Sequence, residues 1–171
     1  MKQFKAIKLR YKIAAFLFTL LFSFAIVFAH KVYVNRQVIF NYAAFHGNVK
    51  LMKLVALLGI DVNSPGCEYQ TCVAPIVLSA WYGENEAVLY LLEHGADINN
   101  NRNWGKTALI MAAFNGKEET VKLLLSKGAD FDMRDKIIGD EEDNSGDTAL
   151  GWAESRQYTN IVQILRDAGA K

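Results

Sequence analysis

The sequence is poor in the residues that usually carry catalysis. It has three histidines and two cysteines in 171 residues, and it contains no G-x-S-x-G, no H-E-x-x-H, no phosphate-binding loop and no C-x-x-C pair. The histidines, His30, His46 and His94, are scattered, and His94 suits a structural place at a helix end. The acidic run at residues 140–143 lacks the spaced pattern of a calcium loop and is typical of a solvated tip. We therefore expect no enzyme, no cofactor and no metal site.

Proline and low-complexity tracts are also scarce. Only two prolines occur and 51% of the residues are apolar, which argues against wholesale disorder. The length suits one compact domain and leaves little room for a second.

Acidic residues are absent from the first 60 positions, and the first of them is Asp61. Five of the 19 basic residues lie within residues 1–12, so residues 13–171 carry 14 basic and 18 acidic side chains, a net charge of −4. This balance disfavours nucleic-acid binding, because phosphate contacts depend on clustered lysine and arginine. The total of +1 is thus the sum of a basic leader and a mildly acidic remainder.

One long uncharged run, IAAFLFTLLFSFAIVFA at residues 13–29, follows this basic segment. As a helix it would extend about 25 Å, near the lower limit for crossing a bilayer. Two interpretations stay open: a transmembrane anchor over residues 13–34, or a signal peptide cleaved near Ala29. Because the basic residues precede the run, positive-inside bias places residues 1–12 in the cytoplasm. The remainder would lie beyond the membrane, which is the periplasm if the source is a bacterium, or would be secreted if cleavage occurs near Ala29.

The rest of the chain repeats one pattern. The segments AAFHG (43–47), SAWYG (79–83) and AAFNG (112–116) each precede a segment with apolar residues three and four positions apart. The offsets are 36 and 33 residues, and a degenerate fourth copy follows after 41. Each copy then meets a glycine that can close a helix in the left-handed conformation. These glycines are Gly59, Gly95, Gly128 and Gly169.

This pattern resembles the ankyrin-repeat family over residues 37–171. The family's opening G-x-T-P-L-H-x-A-A is met best by GKTALIMAA at residues 105–113, whereas Gln157 stands where other copies have a turn glycine. The resemblance implies an all-α solenoid of about four helix-turn-helix units with hairpin loops, preceded here by an N-terminal hydrophobic helix. We expect a monomer. The predicted units cover about residues 37–66, 72–104, 105–137 and 146–171.

The resemblance also implies a protein partner, bound against the concave face formed by hairpin tips and first helices. In this sequence, several of the positions that carry the contact in the family hold aromatic residues. Trp and Tyr are enriched in interface hot spots. Alternatively, Phe45 and Phe114 pack between repeats and Trp81 covers the gap at an insertion. The predicted partner-binding residues are Trp81, Tyr82, Asn103, Trp104, Lys106, Phe114 and Asn115.

Cys67 and Cys72 are the only cysteines, and they flank four residues in the segment inserted between the first two copies. In an exported protein this arrangement predicts a disulfide that braces a widened loop. Zinc is disfavoured, because it needs more ligands than two thiols.

The sequence thus predicts a non-catalytic protein-interaction module on the far side of a membrane. Two more specific alternatives stay open. One is an inhibitor or immunity-type protein that blocks an extracytoplasmic enzyme, for which the acidic residues 140–143 would suit a basic partner. The other is an accessory subunit of a stress-defence enzyme.

Overall fold

The computed structural model describes residues 17, 21–31, 35–68, 71–101, 105–135 and 147–171. The chain divides into two compact units, Met1–Arg36 and Gln37–Lys171. The predicted basic segment, residues 1–12, and much of the predicted anchor, residues 13–34, lie outside the described residues.

In the first unit, residues 21–31 are helical and all of their side chains are exposed. The exposed fractions of Phe22, Phe24 and Phe28 are 60%, 68% and 61%. Within the described part of the chain, no helix combines the length and the apolarity that crossing a membrane requires.

The repeat body consists of helix pairs, as the sequence predicts. The first helices contact one another along the body, and the second helices form a layer of their own. The pairs are α1 (Arg36–Phe45) with α2 (Val49–Ala56), α3 (Pro75–Tyr82) with α4 (Asn85–Glu93), α5 (Ala108–Phe114) with α6 (Glu118–Ser126), and α7 (Ala149–Ser155) with α8 (Thr159–Asp167). A short antiparallel hairpin, β1 (Gly66–Glu68) and β2 (Thr71–Val73), separates the first two pairs.

Small residues allow the first helices to approach closely. Ala43, Ala44, Ala112 and Ala113 are fully buried, at 0% exposure. Ser79 takes the place of an alanine in the second repeat and is equally buried, with its hydroxyl 3.0 Å from the carbonyl oxygen of Ala44. The serine therefore satisfies its own polar group while joining α3 to α1.

Helix ends follow the local sequence. Thr107 and Thr148 precede α5 and α7, and each side-chain oxygen accepts a backbone N–H three residues later, at 3.2 Å. The prediction that a left-handed glycine follows each second helix is confirmed, since all four have positive φ. Gln157, where other copies have glycine, is also held at a φ of +60°.

Asparagines in the hairpin loops join consecutive repeats. Asn63 accepts the Asp97 N–H at 2.7 Å and donates to the Gly95 carbonyl oxygen at 3.0 Å. One repeat further on, Asn99 accepts the Asp130 N–H at 3.0 Å. The Asp-x-Asn sequence therefore stabilises the stacking of repeats as well as the turn.

The insertion before the fourth repeat is closed at its base. The Asp135 N–H donates to the Asp147 carbonyl oxygen at 3.1 Å, and Arg134 and Thr148 form an antiparallel bridge. The acidic run at residues 140–143, predicted as a solvated tip, lies outside the described residues.

Candidate protein-binding surface

Five ring-bearing residues at the C-terminal ends of α1 and α3 form a continuous surface, which we call the aromatic patch. The Phe45 and Tyr82 rings are 4.1 Å apart between centroids, which joins the first two repeats. Trp81 stacks on Tyr82 at 6.1 Å with an interplanar angle of 13°. The patch consists of Tyr42, Phe45, His46, Trp81 and Tyr82.

Side-chain exposure distinguishes this patch from the core beneath it. Tyr42, Trp81 and Tyr82 are 60%, 36% and 42% exposed, whereas the preceding small residues Ser79 and Ala80 are fully buried. The rings therefore lie at the ends of the close-packed helices. They contact one another, and one side of the cluster faces solvent. Such rings present a large contact area at little further conformational cost.

Phe114, the predicted member from the third repeat, packs in a different cluster. Its ring meets Trp152 edge-on at 4.9 Å, and the Arg156 guanidinium lies 3.9 Å above the ring. The neighbouring Asn115 donates its side-chain N–H to the Met111 carbonyl oxygen at 2.9 Å. Phe114 therefore lies at the junction of the third and fourth repeats, whereas the side chain of Asn115 bonds within its own repeat.

The other predicted contact residues are distributed differently. Lys106 is half-buried, one residue after the buried Gly105. Asn103 and Trp104 lie outside the described residues, so the aromatic patch is defined without them.

Trp152 has a second role that could not be read from the repeat pattern. Its indole N–H donates to Asp135 Oδ2 at 3.1 Å, and Asp135 is only 7% exposed. One signal does lie in the sequence, because Trp152 falls at the position of the buried Met111, on the inward side of a first helix. An indole at such a position needs an acceptor, and Asp135 provides it at the base of the insertion.

The described histidines of the repeat body make local contacts. His94 follows the last residue of α4 and caps the helix, at the helix end where it is expected, and its Nδ1 lies 2.7 Å from the Tyr90 carbonyl oxygen. His46 contacts the Tyr42 and Phe45 rings. In the described ranges, no group of three His, Cys, Asp or Glu side chains could hold a metal ion.

Stacked helix pairs with hairpin loops define an α-solenoid repeat protein. Comparison with protein families identifies the type: residues 40–135 and 76–171 match the family described as ankyrin repeats (3 copies). The chain therefore belongs to the ankyrin-repeat family. No curated protein matches the chain. Ankyrin repeats are protein–protein interaction modules and are generally non-catalytic, and this chain contains such a module.

Proposed function

We propose that this protein is a membrane-anchored ankyrin module that binds a protein partner through the aromatic patch, on the extracytoplasmic side. The carrying observation is the partly exposed set Tyr42, Trp81 and Tyr82, supported by ring contacts across two repeats. Tyr and Trp dominate interface hot spots, because they bury large apolar area and retain a polar group. The partner would cover the patch and complete its burial.

Anchoring is supported by the N-terminal sequence. The run at residues 13–29 is uncharged and follows five basic residues. Along residues 21–31 the apolar side chains are exposed, which is costly in water and favourable in a bilayer. The basic start orients such a segment with its N-terminus in the cytoplasm. Cleavage near Ala29 is the alternative, and N-terminal sequencing of the mature protein distinguishes it.

Partner binding is tested by capture from detergent-solubilised membranes, followed by mass spectrometry. The intact chain is compared with the Trp81→Ala/Tyr82→Ala double variant. We expect one or more proteins to be recovered with the intact chain and lost with the variant. Equal recovery with both baits would exclude the aromatic patch as the contact surface.

Membrane topology is tested by reporters fused after Lys171. An exported-only reporter should be active there, and a cytoplasm-only reporter should be silent. Activity of the cytoplasmic reporter would exclude the extracytoplasmic placement. The identity of the captured partner distinguishes the two more specific functions. A toxic or hydrolytic enzyme would indicate an inhibitor or immunity-type protein, and a stress-defence enzyme would indicate an accessory subunit.

A further inference from the structure

The first repeat exposes leucines on the outer side of its second helix. Leu54, Leu57 and Leu58 are 63%, 82% and 38% exposed. With Lys50 they stand at positions i, i+4, i+7 and i+8, which share one helix face. The face continues past the end of α2, because Leu57 keeps helical torsion angles of φ −61° and ψ −18°. We call these four residues the leucine patch.

In the later repeats the position of Leu54 keeps an apolar or aromatic residue, Tyr90, Leu123 or Ile164, but each is buried or half-buried. Tyr90 also has Lys53 of the first repeat 6.0 Å above its ring. The positions of Leu57 and Leu58 are more polar, and they hold one or two polar residues in every later copy. They are Glu93 and His94, then Ser126 and Lys127, then Asp167 and Ala168.

We propose that the leucine patch docks on the surface of the lipid bilayer that holds the N-terminal anchor. This inference rests on the anchoring proposed above. An exposed apolar face with a lysine at its edge has the composition of an interfacial helix, which buries its apolar side chains at the boundary between headgroups and acyl chains. The patch would add a second, peripheral membrane contact and fix the orientation of the solenoid.

The length of the connecting chain supports this occupant. Seven residue steps separate Ala29, the last residue of the uncharged run, from Arg36, the first residue of α1. Even fully extended, such a connection spans at most about 25 Å. A first repeat tethered so closely remains near the bilayer surface, where docking costs little additional entropy.

Charge favours the same partner. Lys50 is exposed beside Leu54, and no acidic residue occurs before Asp61, so this end of the protein is basic. Anionic phospholipid headgroups attract a basic surface. The position of Lys50 is taken by Glu86 and Glu119 in the next two repeats.

The test places an environment-sensitive fluorophore on the full chain, reconstituted in vesicles of phosphatidylethanolamine and phosphatidylglycerol. The label is attached at Leu57→Cys or, as a matched control, at Ser126→Cys, the same position of the third repeat. Both variants carry Cys67→Ser and Cys72→Ser. Both labelled positions are exposed, so the fold tolerates them. Lipids with a nitroxide near the headgroup report membrane contact.

We expect quenching to remove most of the fluorescence at Leu57→Cys and little at Ser126→Cys. Equal, weak quenching at both sites, with the protein still floating with the vesicles, would overturn the docking and leave the anchor intact. Failure to float would overturn both.

The variants that lack Cys67 and Cys72 could fail to fold, so the unmodified chain is also tested, by hydroxyl-radical footprinting in the same vesicles. Each oxidation rate is divided by the intrinsic reactivity of its residue type, because tyrosine reacts with hydroxyl radicals faster than leucine. Docking then predicts a lower normalised rate at Leu57 than at Tyr82, despite the greater exposure of Leu57 in the protein alone. Strong oxidation at Leu57 would overturn the proposal.

Discussion

The Tyr82 ring lies 4.1 Å from the Phe45 ring, in a tilted contact that joins the second repeat to the first. Tyr82 is nevertheless 42% exposed, and its neighbour Trp81 is 36% exposed. The contact therefore orients Tyr82 without burying it. A ring held in this way combines rigidity with an accessible surface, which is the combination a binding site requires.

Substitution Tyr82→Ala should weaken partner binding by about 30-fold, the effect of losing a typical hot spot of about 2 kcal/mol. Thermal stability should change little, because the ring already faces solvent on one side. Ser155→Ala, at the place of Trp81 in the fourth repeat, is the control and should bind normally. Binding is measured by titration against the captured partner. If Tyr82→Ala unfolds the protein instead, the ring belongs to the core.

Substitution Gln157→Gly should stabilise the protein by about 1 kcal/mol, because an L-residue with a side chain is disfavoured in the left-handed region. Gln157 is held there at a φ of +60°. Gln157→Ala retains the strain and should show no such gain. Urea unfolding measures both variants, and equal stabilities for the glycine and alanine variants would contradict the argument.

The reverse substitution, from glycine to a residue with a side chain, tests Gly116, the matching position of the third repeat. Gly116 has a φ of +69°, and a Cβ built on it would lie 2.9 Å from Cζ of Tyr158. Gly116→Ala should therefore destabilise the fold by more than the 1–2 kcal/mol, roughly, that the backbone alone would cost. Adding Tyr158→Ala should recover the steric part of this loss in urea unfolding.

The repeat architecture could be predicted from sequence because its signals are local. A period of 33 residues, alanine pairs and closing glycines such as Gly95 and Gly128 determine the helix pairs. These signals lie within each repeat and do not depend on distant parts of the chain. The bond between Trp152 and Asp135 could not be predicted in this way. Its partners lie on opposite sides of an insertion, and the backbone contacts of Arg134 with Thr148 and of Asp135 with Asp147 bring them together.

The arrangement of rings in the aromatic patch could be predicted in type and only partly in extent. The places of Trp81 and Tyr82 after the small residues Ser79 and Ala80 indicate helix-end rings, and the structure places them so. The different position of Phe114 depends on Trp152 and Arg156, side chains of the next repeat. Which ring neighbours which across two repeats is a property of packing, and a single repeat does not encode it.

Substitution Trp152→Phe should destabilise the protein by about 1–3 kcal/mol, because it removes the N–H that satisfies a buried carboxylate. The phenyl ring retains most of the contact with Phe114, which isolates the hydrogen bond. A double-mutant cycle with Asp135→Ala, which leaves no oxygen to accept the indole N–H, measures the coupling between the two side chains in urea unfolding. Additive effects would show that the bond contributes nothing to stability.

Substitution Asn63→Ala should cost about 1–2 kcal/mol, since it removes two hydrogen bonds from Asn63 to the backbone of the second repeat. The control is Asn101→Ala, an exposed asparagine in the next hairpin loop. Hydrogen exchange at the Asp97 amide, which donates to Asn63, should accelerate in the Asn63→Ala variant only. Unchanged exchange would show that stacking does not depend on this contact.

The cysteine pair gives the last prediction. Cys67 and Cys72 are directly opposite in the antiparallel register of β1 and β2. Opposite residues in such a pair have Cα atoms about 4.5–5.5 Å apart, within the range that a disulfide bridges. After export, the two thiols should therefore be oxidised to one bond, closing the loop inserted between the first two repeats.

Alkylation of the purified exported protein, followed by mass spectrometry, checks this expectation. No label should be incorporated before reduction, and two labels should be incorporated after it. The Cys72→Ser variant should take up one label without reduction and should unfold at lower denaturant, because the loop is no longer constrained. Two reactive thiols in the untreated protein would contradict the bond, and they would leave the backbone pairing of β1 with β2 as the brace of this insertion.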